Sequence, residues 1–488
     1  MSERVRWNSN FVFLMAMIGS AVGLGNIWRF PYLFFTNGRG TFLIPYLIAI
    51  LILGLPFILL EYSLGAKFRD SVLGTFERVN KNVKIIAWIV MLIAFLIITY
   101  YLCIVGWDLN YFLLSFTKAW GSNPDNFFNV QFLQSTTQIS GITQFIPYIL
   151  GGVLVLWVIV WFISHRDLNS GIGRFTSIFV PILFILGIGI ALYNISLSGS
   201  YLGYMEFLNP DWGALLKLDI WLAAFGQILF TLSLGMTVIL SYSSHLPNKT
   251  NLTKNAITVI LANCGFEMLN AIGVFSLLGH MSYVTGLPFN DLITQGSGLA
   301  FVAFPQVFNI MGSTGSILGP IFFFCILIAG ITTAISYIEP LVDSLEHSFS
   351  FTRKKAVTLI CVIGFLISCI FTTAAGNLLI TIADEFLNNV VLVLTVIIQC
   401  VIFGYMYKVD YLVEVLNEKT WFKVGAWWKY IIKYILPIIM CIIWVGGVYE
   451  LIMSCDMVKA VACVILAVVL FVVSFSLNHF EEKRKINS

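Results

Sequence analysis

Long apolar runs recur along all 488 residues, separated by short polar stretches. About 20 apolar residues cross the hydrocarbon core of a bilayer as a helix. Runs of this length predict spans at approximately 10–36, 41–66, 85–116, 145–164, 174–195, 219–244, 254–280, 315–346, 356–374, 378–407, 431–452 and 457–478. The expected fold class is therefore an all-α polytopic membrane protein of about twelve transmembrane helices. The first run departs from a plain apolar helix. Its segment Gly19-Ser-Ala-Val-Gly-Leu-Gly-Asn-Ile-Trp-Arg-Phe-Pro31 holds three glycines, Asn26, Arg29 and Pro31. Lipid offers no hydrogen bonds, so a break at membrane depth makes sense only where the freed backbone groups bind something. A small polar ligand or an ion is the expected partner.

A second break, Thr231-Leu-Ser-Leu-Gly235, interrupts the sixth span. The two breaks lie in corresponding places if residues 1–200 and 201–410 are two five-helix repeats, with 411–488 adding two further helices and a tail. Five spans precede the sixth, so the second repeat would be inverted. Interrupted spans at matching positions of two halves point to a transport site. The apolar, glycine-bearing stretch 285–313 is expected to form an outer hairpin over the mouth of the bundle.

Composition and charge sharpen this picture. With 59% hydrophobic and 10% charged residues, the chain is too apolar for a soluble protein. No cleavable signal peptide is expected. Basic residues collect in alternate loops: Arg4 and Arg6, Lys67 to Lys84, Arg166 and Arg174, Lys249 and Lys254, Arg353 to Lys355, Lys408 to Lys433, and Lys483 to Lys485. This bias puts both termini in the cytoplasm. The net charge of +3 reflects it and gives no reason to expect nucleic acid as a partner. The five histidines are scattered and the nine cysteines show no metal-binding spacing, so an enzyme is not expected.

Three motifs in order resemble the neurotransmitter:sodium symporter family, with its LeuT-type fold. They are Gly19 to Pro31, Gln227 to Gly235, and Ala329-Gly-Ile-Thr-Thr333. The resemblance covers the first ten helices. It implies that Leu24 and Gly25 offer backbone N–H groups to a substrate carboxylate and that Tyr101 adds a hydroxyl. The substrate ammonium would meet the carbonyls of Ala21, Phe230 and Thr231 and the Ser233 hydroxyl. Gly23 is the position at which amine-carrying relatives have an aspartate, so glycine implies a substrate with its own carboxylate. Ser20, Ile97, Met236, Thr333 and Tyr337 complete a mostly apolar pocket, which suits a neutral hydrophobic amino acid.

The resemblance also implies two sodium sites. One takes Ala21, Asn26, Thr231 and Asn263; the other takes Gly19, Val22, Ala329, Thr332 and Thr333. An isolated Thr332 would instead bond back to its own helix. Glu267, one turn after Asn263, stands where chloride-dependent relatives have a small polar residue, which implies transport without chloride. Arg29, Gln227 and Asp384 match outer-gate positions, with Glu385 as the alternative partner of Arg29. Arg4 and Trp7 match an inner latch, with Asp343 or Glu346 facing Arg4. Glu61 matches a glutamate that supports the unwound backbone, and Gly171 with Pro181 is expected to unwind the fifth helix. The implied function is sodium-coupled amino-acid import across a bacterial inner (plasma) membrane. A substrate sensor on the same fold, and a symporter for another small zwitterion or carboxylate, remain open. The last two helices are expected to scaffold the bundle or to join two copies as a homodimer.

Overall fold

The computed structural model describes residues 5–247, 250–292, 296–420 and 422–487, without the side chains of residues 290 and 485–487. The helices, in chain order, are α1 (Asn10–Ala21), α2 (Gly25–Thr36), α3 (Gly40–Phe68), α4 (Val72–Val79), α5 (Lys81–Ser115), α6 (Pro147–Ser164), α7 (Asn169–Ser196), α8 (Ser200–Leu208), α9 (Leu218–Thr231) and α10 (Val238–Ser244). They continue with α11 (Leu252–Thr285), α12 (Leu299–Ile310), α13 (Ser313–Phe349), α14 (Arg353–Thr372), α15 (Gly376–Met406), α16 (Val409–Asn417), α17 (Ala426–Met453) and α18 (Met457–Arg484).

Among the described residues, ten helices are apolar and long enough to cross a membrane unaided: α3, α5, α6, α7, α11, α13, α14, α15, α17 and α18. The two remaining expected spans are the ones with glycine-rich breaks. The first is α1 plus α2, bent by 56°. The sixth is α9 plus α10, with residues 232–237 irregular between them. Ser9 caps α1 by accepting from Val12 N at 3.3 Å, and Asn251 caps α11 by accepting from Lys254 N at 2.9 Å. Each side-chain oxygen satisfies a donor that the first turn leaves free. The fifth span does not unwind around Gly171 and Pro181. Residues 169–196 form one continuous helix, with only a widened first turn at Asn169–Gly173.

Close backbone approach, rather than greasy bulk alone, sets the helix crossings. A Cβ at Gly330 of α13 would lie 2.6 Å from Val105 of α5. A Cβ at Gly203 of α8 would lie 1.9 Å from the Phe275 carbonyl oxygen of α11, and one at Gly279 would lie 2.4 Å from Gly203 N. A Cβ at Gly65, at the end of α3, would meet Ser243 Oγ of α10 at 2.0 Å. Ion pairs fasten the face that carries the N-terminus. Arg353 grips buried Glu339 with two bonds of 2.8 and 2.7 Å, and Lys84 pairs with buried Glu481 at 2.5 Å, tying α18 to the start of α5.

The hairpin region resolves into a short turn at Phe289–Asp291 and α12, whose residues Leu299 to Phe304 are buried; its residues 293–295 lie outside the described residues. Phe301 is the hub of α12. Its ring lies 5.9 Å from Trp28, 4.9 Å from Tyr111 and 6.2 Å from Phe323, so the hairpin packs directly on the broken first span and on α5 and α13.

Gly203→Val should lower the melting temperature of the detergent-solubilised protein by several degrees or prevent its accumulation, because no side-chain movement relieves a clash with backbone. Gly189→Ala, which meets nothing within 4 Å, should leave melting unchanged. Thermal unfolding of the purified variants checks both.

Candidate functional site

The break in the first span opens directly onto polar side chains of α9 and α11. After Val22 N bonds to Ile18 O at 2.8 Å, the helical ladder stops. Val22 is extended, and Asn26 turns back so that its Oδ1 accepts from Gly23 N at 2.9 Å. Its amide nitrogen donates to Thr231 Oγ1 at 3.1 Å and to Asn263 Oδ1 at 2.9 Å, and Asn263 donates to Thr231 Oγ1 at 2.9 Å. Three expected ion ligands from three spans thus meet at one buried point. Glu267 lies beside them, fully buried, accepting from Tyr46 Oη of α3 and from Gln227 Nε2 of α9. Thr231 and Arg29 also act on it.

Gly23 sits closely against two hydroxyls. A Cβ there would lie 3.1 Å from Thr333 Oγ1 and 3.2 Å from Tyr101 Oη. Leu24 N donates to Tyr101 Oη at 3.4 Å, while Thr333 Oγ1 is buried and, among the described residues, has no hydrogen-bond partner. A Cβ at Gly25 would touch the Phe230 ring at 3.0 Å. Ser233 donates to the Ser20 carbonyl at 3.0 Å and lies 3.3 Å from Tyr337 Oη, linking the two breaks. Ser20 Oγ itself bonds back to Met17 O. Ala21, Ile97, Met236 and Tyr337 are all buried; Ile97 shares the Tyr101 face of α5, four residues earlier.

Of the second expected ion set, Gly19 of α1 lies against Thr332 of α13. A Cβ at Gly19 would lie 3.3 Å from Thr332 Cβ and 2.9 Å from Val180 of α7. Val22, Ala329 and Thr333 are buried with them. Thr332 Oγ1 donates to Ile328 O and Ala329 O at 3.0 Å each, the back-bonding expected of a lone helical threonine.

The break in the sixth span carries three residues at positive φ: Ser233 (52°), Gly235 (73°) and Thr237 (61°). Two of them are not glycine, so this backbone is strained and needs outside support. Gln399 Nε2 donates to Gly235 O at 3.0 Å, and the fully buried carboxylate of Glu61 lies near the backbone N–H groups of Gly235 and Thr237 without a well-formed hydrogen bond among the described residues.

The gates differ in detail from expectation. Arg29 lies over the Phe230 ring at 5.0 Å and, among the described residues, makes no direct ion pair with Asp384. Asp384 instead accepts from Tyr100 Oη at 2.9 Å and Asn388 Nδ2 at 2.7 Å, and feels Arg29 only through space. Glu385 is engaged by Lys459 of α18. On the opposite face, Trp7 is buried, donates from Nε1 to Tyr242 O at 2.9 Å and from its backbone to His245 O at 2.9 Å. Arg4 lies outside the described residues. Glu346 lies 3.5 Å from Arg353, and Asp343 faces His245 and His347 at 3.9 and 3.6 Å.

A sodium:neurotransmitter symporter family model matches residues 4–123 and 120–477. The chain belongs to this family. Its members are transporters rather than enzymes, and this protein is a sodium-dependent, multi-pass membrane transporter. It is 37% identical over 438 residues to an uncharacterised sodium-dependent transporter of Methanocaldococcus jannaschii, covering 90% of this chain and 89% of that one. It is 27% identical over 484 residues to the sodium- and chloride-dependent creatine transporter 1 of Bos taurus, covering 89% of this chain and 75% of that one. Among solved structures, MhsT in complex with L-phenylalanine matches with a TM-score of 0.78 at 29% identity, covering 91% of this chain and all of MhsT. The LeuT-type fold expected from the motifs is therefore present.

Sequence reasoning missed Tyr46, Gln399, Tyr100 and Asn388. Each is a polar group inside an apolar span, which is itself a signal, because lipid-buried polar side chains need partners. Thr231→Val keeps the volume of Thr231 but removes the acceptor shared by Asn26 and Asn263. Half-maximal sodium for substrate binding should rise more than about tenfold, a loss of about 1.4 kcal/mol or more. Sodium titration of ligand binding to the purified variant measures this.

Proposed function

We propose that this transporter imports a neutral, mainly apolar amino acid together with sodium, by alternating access and without chloride. The convergence of the Tyr101 and Thr333 hydroxyls on the side-chain-free Gly23 carries the reading. A substrate carboxylate there would be held by the Tyr101 and Thr333 hydroxyls and by backbone N–H groups of Leu24 and Gly25, at the start of α2, where a helix end favours an anion. The ammonium would lie toward the carbonyls of Ala21, Phe230 and Thr231 and the Ser233 hydroxyl. Ile97, Phe230, Met236 and Tyr337 would cover the side chain. The bound L-phenylalanine of MhsT supports an amino-acid substrate of this kind.

Two sodium ions would supply positive charge beside that carboxylate. The buried oxygens of Asn26, Thr231, Asn263 and Ala21 suit one, since a hard cation in a dry site takes several oxygen ligands. Gly19, Val22, Ala329, Thr332 and Thr333 suit the other, with Thr332 releasing one of its two helix-carbonyl bonds. Glu267 would provide the negative charge that an anion supplies in chloride-dependent relatives; its Tyr46 and Gln227 partners hold the carboxylate beside Thr231. Arg29 over Phe230 would form the outer lid, and the Trp7 segment the inner one, with the N-terminal face toward the cytoplasm of a plasma membrane.

Uptake of a labelled amino-acid panel into proteoliposomes tests this reading: an inward sodium gradient should drive accumulation equally with and without chloride. Glu267→Ser should make that uptake chloride-dependent; unchanged uptake without chloride would remove the charge-substitution role. Gly23→Asp should abolish amino-acid uptake, a drop of at least about 100-fold or about 2.7 kcal/mol, because the new carboxylate takes the place of the substrate's own.

A further inference from the structure

Asp108 is a buried acid that the site described above does not use. It sits on α5, wholly inaccessible, and neither carboxylate oxygen has a hydrogen-bond partner among the described residues. It lies seven positions after Tyr101, almost two full turns, so both point from the same face of the helix and stand about 10 Å apart along it. That face packs on α13, and Cys325 of α13 feels the Asp108 charge, as does Tyr101 on α5 itself. Among the described residues no cation and no other acid acts on it. An ionised carboxylate with neither a donor nor a counter-charge is far too costly in an apolar interior, and such a group takes a proton instead. A metal ion fits poorly, since one carboxylate without further oxygen ligands cannot dehydrate a hard cation.

The cover over this acid is a separate body. Phe301 of α12 packs on Trp107 at 6.1 Å and on Tyr111 at 4.9 Å, the residues on either side of Asp108 along the helix, and stacks on Phe323 of α13. Rings of α12 and α13 thus pack against the residues that flank Asp108 on α5.

We propose that Asp108 is a proton-binding site of the transport cycle, protonated whenever α12 is closed over it and exchanging its proton with water when α12 lifts. Closure then takes up a proton. Ligand binding that drives closure weakens as pH rises, by up to about tenfold per pH unit for one linked proton, and this slope adds to whatever Glu267 contributes.

Infrared difference spectra of the full-length protein in lipid, with sodium chloride as the only added solute, give a test that needs no transported substrate. Wild type minus Asp108→Asn should show the carbonyl stretch of a protonated carboxyl group at neutral pH. Asp108→Glu should retain such a band at a shifted frequency, and Phe301→Ala should let the Asp108 band titrate away at lower pH. A difference spectrum without a protonated-carboxyl band overturns the proposal, and a carboxylate band that shifts with the identity of the added cation overturns it in favour of a cation site. Binding of L-phenylalanine across pH gives the second readout, resting on the amino-acid reading: the Asn variant should bind with a pH slope smaller by one proton. An unaltered slope in a variant that still binds in a sodium-dependent manner would show that Asp108 serves packing alone. Should L-phenylalanine fail to bind wild type, the substrate reading falls, while the infrared result still decides the role of Asp108.

Discussion

Backbone hydrogen bonding in a medium without water is the constraint on which the rest of this structure depends. Ten spans meet it by staying helical, and two do not. The two exceptions face each other, and each must find partners for its loosened groups elsewhere in the fold. Asn26 folds back on Gly23 N, Ser233 reaches across to the Ser20 carbonyl, Gln399 donates to Gly235 O, and Glu61 is set against the N–H groups of Gly235 and Thr237. Each of these supports comes from a different part of the chain. The breaks are therefore held by the tertiary structure, and whatever moves α3, α9 or α15 also changes the groups offered at the centre.

The two faces of the bundle close by different physics. On the N-terminal face the seal is made of directional hydrogen bonds: Trp7 to Tyr242 and His245, Asn8 to Asn169, and the reciprocal Asn10–Asn255 amide pair. The other face is closed by ring contacts and a cation over a ring, centred on Phe301, Phe230 and Arg29. Ring contacts tolerate sliding, whereas a run of backbone-directed hydrogen bonds breaks as a unit. Opening on the N-terminal face then resembles unlatching a segment, and opening on the other resembles repacking a cluster. The proposed alternating access requires that these two events exclude one another, and α1 with α2 touches both seals.

Much of this was legible in the residues before any coordinates. Apolar run length located the spans, and glycine with small polar residues inside an apolar run located both breaks, because each signal is local. The partners were harder. Asp384 was readable as a buried acid near the outer gate, but its engagement by Tyr100 and Asn388 depends on how α5 crosses α15, which no spacing encodes. Gly171 and Pro181 read as an unwinding signal, yet α7 remains continuous there. A proline removes one helix bond, and neighbouring helices and a widened turn can absorb the loss. Thr332 shows the opposite case, where the plainest local expectation, bonding back to its own helix, describes the side chain as it stands.

Glu267 and Asp108 show how two acids at comparable burial come to do different chemistry. Glu267 has a tyrosine hydroxyl and a glutamine amide donating to it, with Thr231 and Arg29 acting nearby. Under the proposed function these donors fix the position of the carboxylate beside Thr231 and Asn263. Among the described residues Asp108 has no such donor, and Cys325 and Tyr101 feel its charge. On the two proposed readings the same functional group is an electrostatic partner in one place and a proton carrier in the other. What separates those readings is which hydrogen-bond donors the neighbouring helices bring to each buried acid, more than its depth.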